Sequence, residues 1–195
     1  MKLLPVLLLL FSASLMGQIN RDIWPDNYTT KTKVTKINSA EAIFEPFFDP
    51  AISGIKEWKV SDGSKHGMRI WQFWAYVSFE WMKKPDNGIA LDMSRDYDID
   101  CSCYDRLLVS AAIPVASRIE VTASTDKGDL KKEFRSPDIY KKEFALELGG
   151  AKRIKNVRIK LKCDTSGVQQ GWFNWIGLQN SEKLQAYLNQ WTRFD

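Results

Sequence analysis

The sequence predicts an all-β protein, a jelly-roll-type β-sandwich with a short C-terminal helix. Three observations carry that expectation. Apolar and polar residues alternate with period two in several separate segments, the spacing of half-buried strands. Turn signals punctuate those segments at short intervals. Aromatic residues make up 12% of the 195-residue chain, with eight tryptophans, and aromatic side chains suit a pleated surface.

Taken in order, residues 1–17 read as a signal peptide: Met1 and Lys2 supply the charge, 3–11 the apolar core and 12–17 the small residues. The apolar run is too short to span a bilayer. The mature chain is therefore expected to be secreted or periplasmic, with no membrane partner once the signal is removed. Residues 18–30 read as a polar arm. Residues 29–37 are Thr-rich and alternate, which suits an edge strand with lysines outward. Residues 42–48 read as a short strand ending in a turn at Pro46 and Pro50.

Residues 69–81 are expected to form one long strand. Their odd positions, from Trp71 to Trp81, are all apolar and would face the core. Their even positions mix aromatic and polar groups and would face outward. Lys83 to Gly88 is a strong turn signal. A short strand at 89–93, an acidic stretch at 92–100 and buried strands at 106–113 and 118–124 follow. A turn at 126–129, a charged exposed stretch at 130–140 and alternating Phe144, Leu146 and Leu148 come next. Val157, Ile159, Leu161 and Cys163 alternate with Arg158, Lys160 and Lys162, a half-buried strand with a basic outer face. From 181 the period changes to that of a helix, with Leu184, Leu188 and Trp191 on one side and Asn180 or Ser181 as its cap. The module thus spans 18–180, and 181–195 reads as a helical segment leading into a further domain.

The net charge of +4 is too small to imply a nucleic-acid partner. Phosphate-binding glycine loops, HExxH and GxSxG are absent. Cys101, Cys103 and Cys163 leave two readings open in an exported chain. Either Cys101 or Cys103 bridges to Cys163, or all three are small buried hydrophobes. Cys-x-Cys with the one histidine, His66, lacks zinc spacing. Asp92, Asp96, Asp98, Asp100 and Asp105 resemble the start of a calcium loop but lack its glycine and closing glutamate. No cofactor is expected beyond a structural calcium ion.

The functional clue is aromatic side chains on an outward sheet face. Flat rings stack on the C–H faces of sugars, and nearby amides bond the hydroxyls. Gln72, Trp74 and Tyr76 share the even face of 69–81. In the Trp172–Trp175 block, Trp172 and Asn174 share one parity while Phe173 and Trp175 share the other, and the inward parity stays open. The candidate ligand contacts are Gln72, Trp74, Tyr76, Trp172, Asn174 and Trp175; no catalytic residue stands out. The competing reading buries these rings in the core or under the helix. The Lys-rich stretch 126–162 suits either an acidic polysaccharide or plain solvent.

Tyr104 to Ser110, Thr122 to Gly128, Leu148-Gly149-Gly150-Ala151 and Gly171-Trp172-Phe173-Asn174-Trp175-Ile176-Gly177 occur in that order. Together this pattern, over about 89–180, resembles the N-terminal sandwich domain of exported bacterial polysaccharide-degrading proteins, including heparinase-like lyases. The resemblance implies a carbohydrate-associated jelly roll beside a catalytic domain of the same polypeptide. The expected function is a non-catalytic carbohydrate-binding-type module. The alternatives are an accessory domain that docks on a catalytic domain, and a small lyase or hydrolase.

Overall fold

The computed structural model describes residues 34–49, 54–60, 69–73, 76–82, 85–136, 140–163 and 169–191. The stretch read as a signal peptide, that read as a polar arm, the 62–67 loop and Trp74 lie outside these. The strands are β1 (Thr35–Lys36), β2 (Glu41–Glu45), β3 (Lys59–Val60), β4 (Arg69–Phe73), β5 (Tyr76–Trp81), β6 (Ile89–Asp100), β7 (Arg106–Ala112), β8 (Arg118–Thr125), β9 (Gly128–Arg135), β10 (Lys142–Glu147), β11 (Arg153–Lys162) and β12 (Gln169–Gln179); α1 is Ser181–Trp191.

They form two antiparallel sheets, a jelly-roll sandwich as the alternation predicts. One is five-stranded, in the order β3-β6-β11-β8-β9. The other has seven strands and is built on β12. Strand β7 pairs with it along one side and carries β10 beyond. The opposite side of β12 is shared: β5 takes Gln169 to Phe173, and β2 takes Ile176 to Gln179. The inner faces meet in one core, with Phe79, Trp81, Met93, Ile99, Val109, Val121, Ile159 and Phe173 all sealed from water. Burying a large apolar side chain stabilises by about 1.5–3 kcal/mol, so the alternation that fills this core also sets its register.

Two expectations need correction. The stretch 69–81 is not one strand. Arg69 to Phe73 pairs antiparallel with Tyr76 to Glu80, so the chain doubles back and the parity inverts. The odd positions of β5 do enter the core, but in β4 the one packed on it is Ile70. A period-two pattern looks the same along one strand and along two strands folded against each other. Likewise, 89–93 and the acidic run are one twelve-residue strand, β6. Its aspartates alternate outward along the strand. Asp92 accepts two bonds from Arg158 at 2.7 and 2.6 Å, Asp96 meets Lys59 and Asn156 at 2.8 Å each, and Asp98 pairs with Arg153 at 2.6 Å. Among the described residues no group of three carboxylate, Cys or His side chains is set to hold a metal ion.

The basic face of β11 is correspondingly neutralised. Lys162 lies 2.7 Å from both Glu120 and Glu133, and Lys131 is 3.1 Å from Glu120. Hydrogen bonds to these two carboxylates raise the Lys162 pKa. Burial would raise that of Glu120, but Lys162 and Lys131 outweigh it and the net shift is downward. The turn before β6 is the one the sequence signals: Gly88 takes φ +70°, which only glycine adopts cheaply, and the Asn87 side chain accepts the Ile89 N–H.

No disulfide joins the three cysteines; Cys101 and Cys163 are buried and Cys103 is exposed. The unbridged reading is the one observed, with the correction that Cys103 is not buried. Asn180 caps helix α1, its side-chain oxygen accepting the Lys183 N–H at 2.9 Å. Asp105 holds its first turn by accepting the Ser181 N–H at 2.8 Å and the Ser181 hydroxyl.

Candidate functional site

The outer face of the seven-stranded sheet carries the rings. β12 holds an irregularity between Phe173 and Trp175: Phe173 pairs with Ala111, but Trp175 pairs with Ser110. Asn174 is thus an extra residue, a β-bulge, and a bulge breaks the simple alternation. Phe173 and Ile176 enter the core, whereas Trp172 opposite Ala112 and Trp175 opposite Ser110 both lie on the outer face. The parity choice that the sequence left open has neither of its two answers.

Trp172 is also opposite Ser78 of β5, two residues from Tyr76. The Tyr76 and Trp172 rings lie 5.9 Å apart at 40°. Trp71 is opposite Ser78 from the other side, so one row across the sheet reads Trp71, Ser78, Trp172, Ala112. All four rings are half-buried and stand outside the core cluster. The residues beneath are small: Ser78 and Ala112 are each 1% exposed and Ser110 is fully covered. The Trp175 ring crosses Gly177, where a Cβ would come within 3.2 Å of it and 2.5 Å of the Ala42 carbonyl. Glycine there lets the indole lie flat on the sheet. Beside the rings runs a polar row, with Arg69 and Gln170 both opposite Glu80, and Arg69 3.7 Å from the Glu80 carboxylate.

The structure therefore brings Tyr76, Trp172, Asn174 and Trp175 together. Gln72 is opposite Val77 in the register of β4 and β5, not in line with Tyr76 as the one-strand reading places it, and its side chain and all of Trp74 lie outside the described residues. Trp71, expected in the core, is on the ring face. The bland alternative holds for other tryptophans: Trp58 and Trp81 are core residues.

Reading along the sequence misses a second feature, a charged cluster inside the sandwich. Glu45 at the end of β2 is fully buried and Arg95 of β6 is 3% exposed. One Glu45 oxygen accepts from Arg95, from the Tyr97 hydroxyl at 2.9 Å and from the Trp58 indole at 3.1 Å. The other accepts the Gly54 N–H at 2.9 Å. Arg95 also meets Glu57 and lies 4.8 Å from the Tyr97 ring centre. Burial, followed by the Glu45 charge, pushes the Tyr97 hydroxyl well above its ordinary range. Burial would lower the Arg95 pKa, but Tyr97, Glu45 and Glu57 outweigh it and the net shift is upward. A glutamate at the end of a short strand carries no sign of burial; only its partner fifty residues away reveals it.

No family model and no curated protein matches the chain. Solved structures do. An agarase superposes with a TM-score of 0.53 at 11% identity, over 72% of this chain and 24% of the agarase. This chain thus spans about a quarter of that enzyme. A carbohydrate-binding module specific for non-crystalline cellulose superposes with a TM-score of 0.44 at 10% identity, over 65% of this chain and 89% of the module. A family 11 carbohydrate-binding module from Clostridium thermocellum, solved with a β-1,3-1,4-mixed-linked tetrasaccharide, gives 0.44 at 12% identity, over 72% and 96%. At these identities the likeness to the agarase is one of fold.

Proposed function

We propose that the chain is a carbohydrate-binding-type module of an exported polysaccharide-degrading protein, and that it holds glycan on the outer face of the seven-stranded sheet. The observation that carries this is the ring set made by the Asn174 bulge. Trp172 and Trp175 are turned to one face, with Tyr76 against the first of them. Sugar rings offer C–H faces that stack on such side chains, and Gln170 and Arg69 supply polar groups beside them. The sandwich fold shared with part of an agarase supports the reading.

The same face argues for binding over bond cleavage. Among the described residues its register offers Glu41 on β2, Glu80 on β5, and Glu143 and Glu147 on β10. Pairs on different strands are three inter-strand steps of about 4.8 Å apart or nine residues apart along β12, and Glu143 and Glu147 are four residues of about 3.3 Å apart on one strand, so every pair is separated by about 13 Å or more, beyond the ~5–9.5 Å of a glycosidase pair. An accessory role, docking on a catalytic domain of the same polypeptide, is the second reading. It is supported by α1, where Leu188 is 47% and Tyr187 38% exposed.

Calorimetry against cello-, agaro-, mixed-linked and galacto-oligosaccharides and one uronic-acid oligomer tests the proposal. Binding that W172A weakens at least tenfold is expected. Preference for the uronic oligomer would reveal an acidic-glycan role, which the paired basic side chains of β11 do not favour. Failure of the wild type to bind any of them would leave the docking role.

A further inference from the structure

We infer that Phe48 is an additional contact on the ring-bearing face and that the buried Glu45–Arg95 pair positions it; this rests on the glycan-binding reading. On the side of β12 shared by two strands, β5 ends its pairing at Phe173 and β2 begins at Ile176. In the gap, the Asn174 carbonyl accepts the Phe48 N–H at 3.1 Å. The chain after β2 thus continues along β12 to the bulge, at the level between Trp172 and Trp175. A turn closes there, with the Asp49 N–H on the Pro46 carbonyl at 3.0 Å.

Successive side chains in this turn part ways. Phe47 is fully buried, 5.8 Å from the Trp58 ring and 6.0 Å from that of Phe173. Phe48 is 39% exposed. A lone exposed apolar ring is ordinary. This one is bonded through its own backbone to the residue that turns the two indoles outward, so its place relative to them is set.

The turn is held from inside. Glu45 immediately precedes Pro46, and its carboxylate also takes the Gly54 N–H and the Trp58 indole, where the chain returns. Arg95 presses on that return point, because a Cβ on Gly54 would sit 1.7 Å from a guanidinium nitrogen. One buried carboxylate therefore ties both ends of the segment that carries Phe48. A ring already held in place loses little freedom when a ligand stacks on it, which is how preorganisation favours affinity. Glu45 and Arg95 touch no ligand; they are positioning residues.

The test is calorimetry on the full chain with the mixed-linked tetrasaccharide, β-1,4-galactotriose and an agaro-oligosaccharide as probes. One stacked ring contributes about 0.5–1.5 kcal/mol, so F48A should weaken binding about 2- to 12-fold while leaving the urea midpoint unchanged, and F48Y should restore it. E45Q should weaken binding too, and adding F48A to E45Q should cost less than F48A alone. If W172A loses affinity while F48A binds as the wild type does, the inference falls and the glycan reading stands. If the wild type binds none of the probes, both fall. Additive effects of E45Q and F48A would overturn the positioning role of the buried pair. Should E45Q fail to fold, F48A and F48Y still decide the role of Phe48.

Discussion

Replacing Glu45 by Gln changes one atom of a buried side chain and should be among the most damaging substitutions in the molecule. The carboxylate receives four donors: Gly54 N–H, the Trp58 indole, Arg95 and the Tyr97 hydroxyl. Glutamine offers one acceptor oxygen and points an NH2 at a donor. If its oxygen keeps the three-donor side, the Gly54 N–H loses its acceptor and Arg95 is left to pair with Glu57, at a side chain that is 40% exposed. Breaking a buried ion pair costs about 3–5 kcal/mol, and a stranded buried donor about 1–3 kcal/mol. These terms overlap, so the expected loss is about 3–5 kcal/mol, from a total that for most domains is about 5–15 kcal/mol. With a urea slope of about 2 kcal/mol/M, the midpoint should fall by about 1.5–2.5 M. Arg158→Ala is the control: its pair with Asp92 has the better two-bond geometry, yet the Arg158 side chain is 48% exposed, and such pairs are worth about 0–1 kcal/mol. A Glu45→Gln midpoint within about 0.5 M of wild type would refute the claim that water is kept from this carboxylate.

Two further outcomes follow from the charges and thiols. The folded-state pKa of Glu120 and Glu133 lies below the ordinary 4.5, Glu133 mainly through its bond from Lys162, and that of Lys162 lies above the ordinary 10.5. Their contribution is therefore full at neutral pH. It is lost as pH falls below 4.5 through the depressed carboxylate values, and again as pH rises past 10.5. Urea midpoints across pH should show a shallower acid fall in Lys162→Met; an unchanged acid slope would count against the lattice. A thiol reagent at pH 8 should label Cys103 quickly and the buried Cys163 slowly. Cys101 should also react slowly, since burial, with Asp126 and Asp100 beside it, pushes its thiol up to about 11. All three should react after unfolding, and recovery of one thiol only would reveal a disulfide.

Strand content and the inward face of most strands could be read locally, because alternation reports a face whenever a strand is single and regular. The readings failed where two strands share one pattern. Residues 69–73 and 76–81 continue each other's hydrophobic signal, so the pattern places Trp71 inside and Gln72 beside Tyr76. The reversal of direction that separates them leaves no mark in the periodicity.

By itself the sequence determined an all-β chain with a capped terminal helix, and it pointed to the stretch around Trp172 as the place of interest. Period-two burial and helix capping act between near neighbours, so local order is enough to reveal them. Tertiary structure alone decided that Trp172 and Trp175 share a face, since that depends on an extra residue in β12 measured against β7. It alone decided that Glu45 is buried, because a carboxylate leaves water only when Arg95, Tyr97 and Trp58, brought from distant segments, replace its lost hydration.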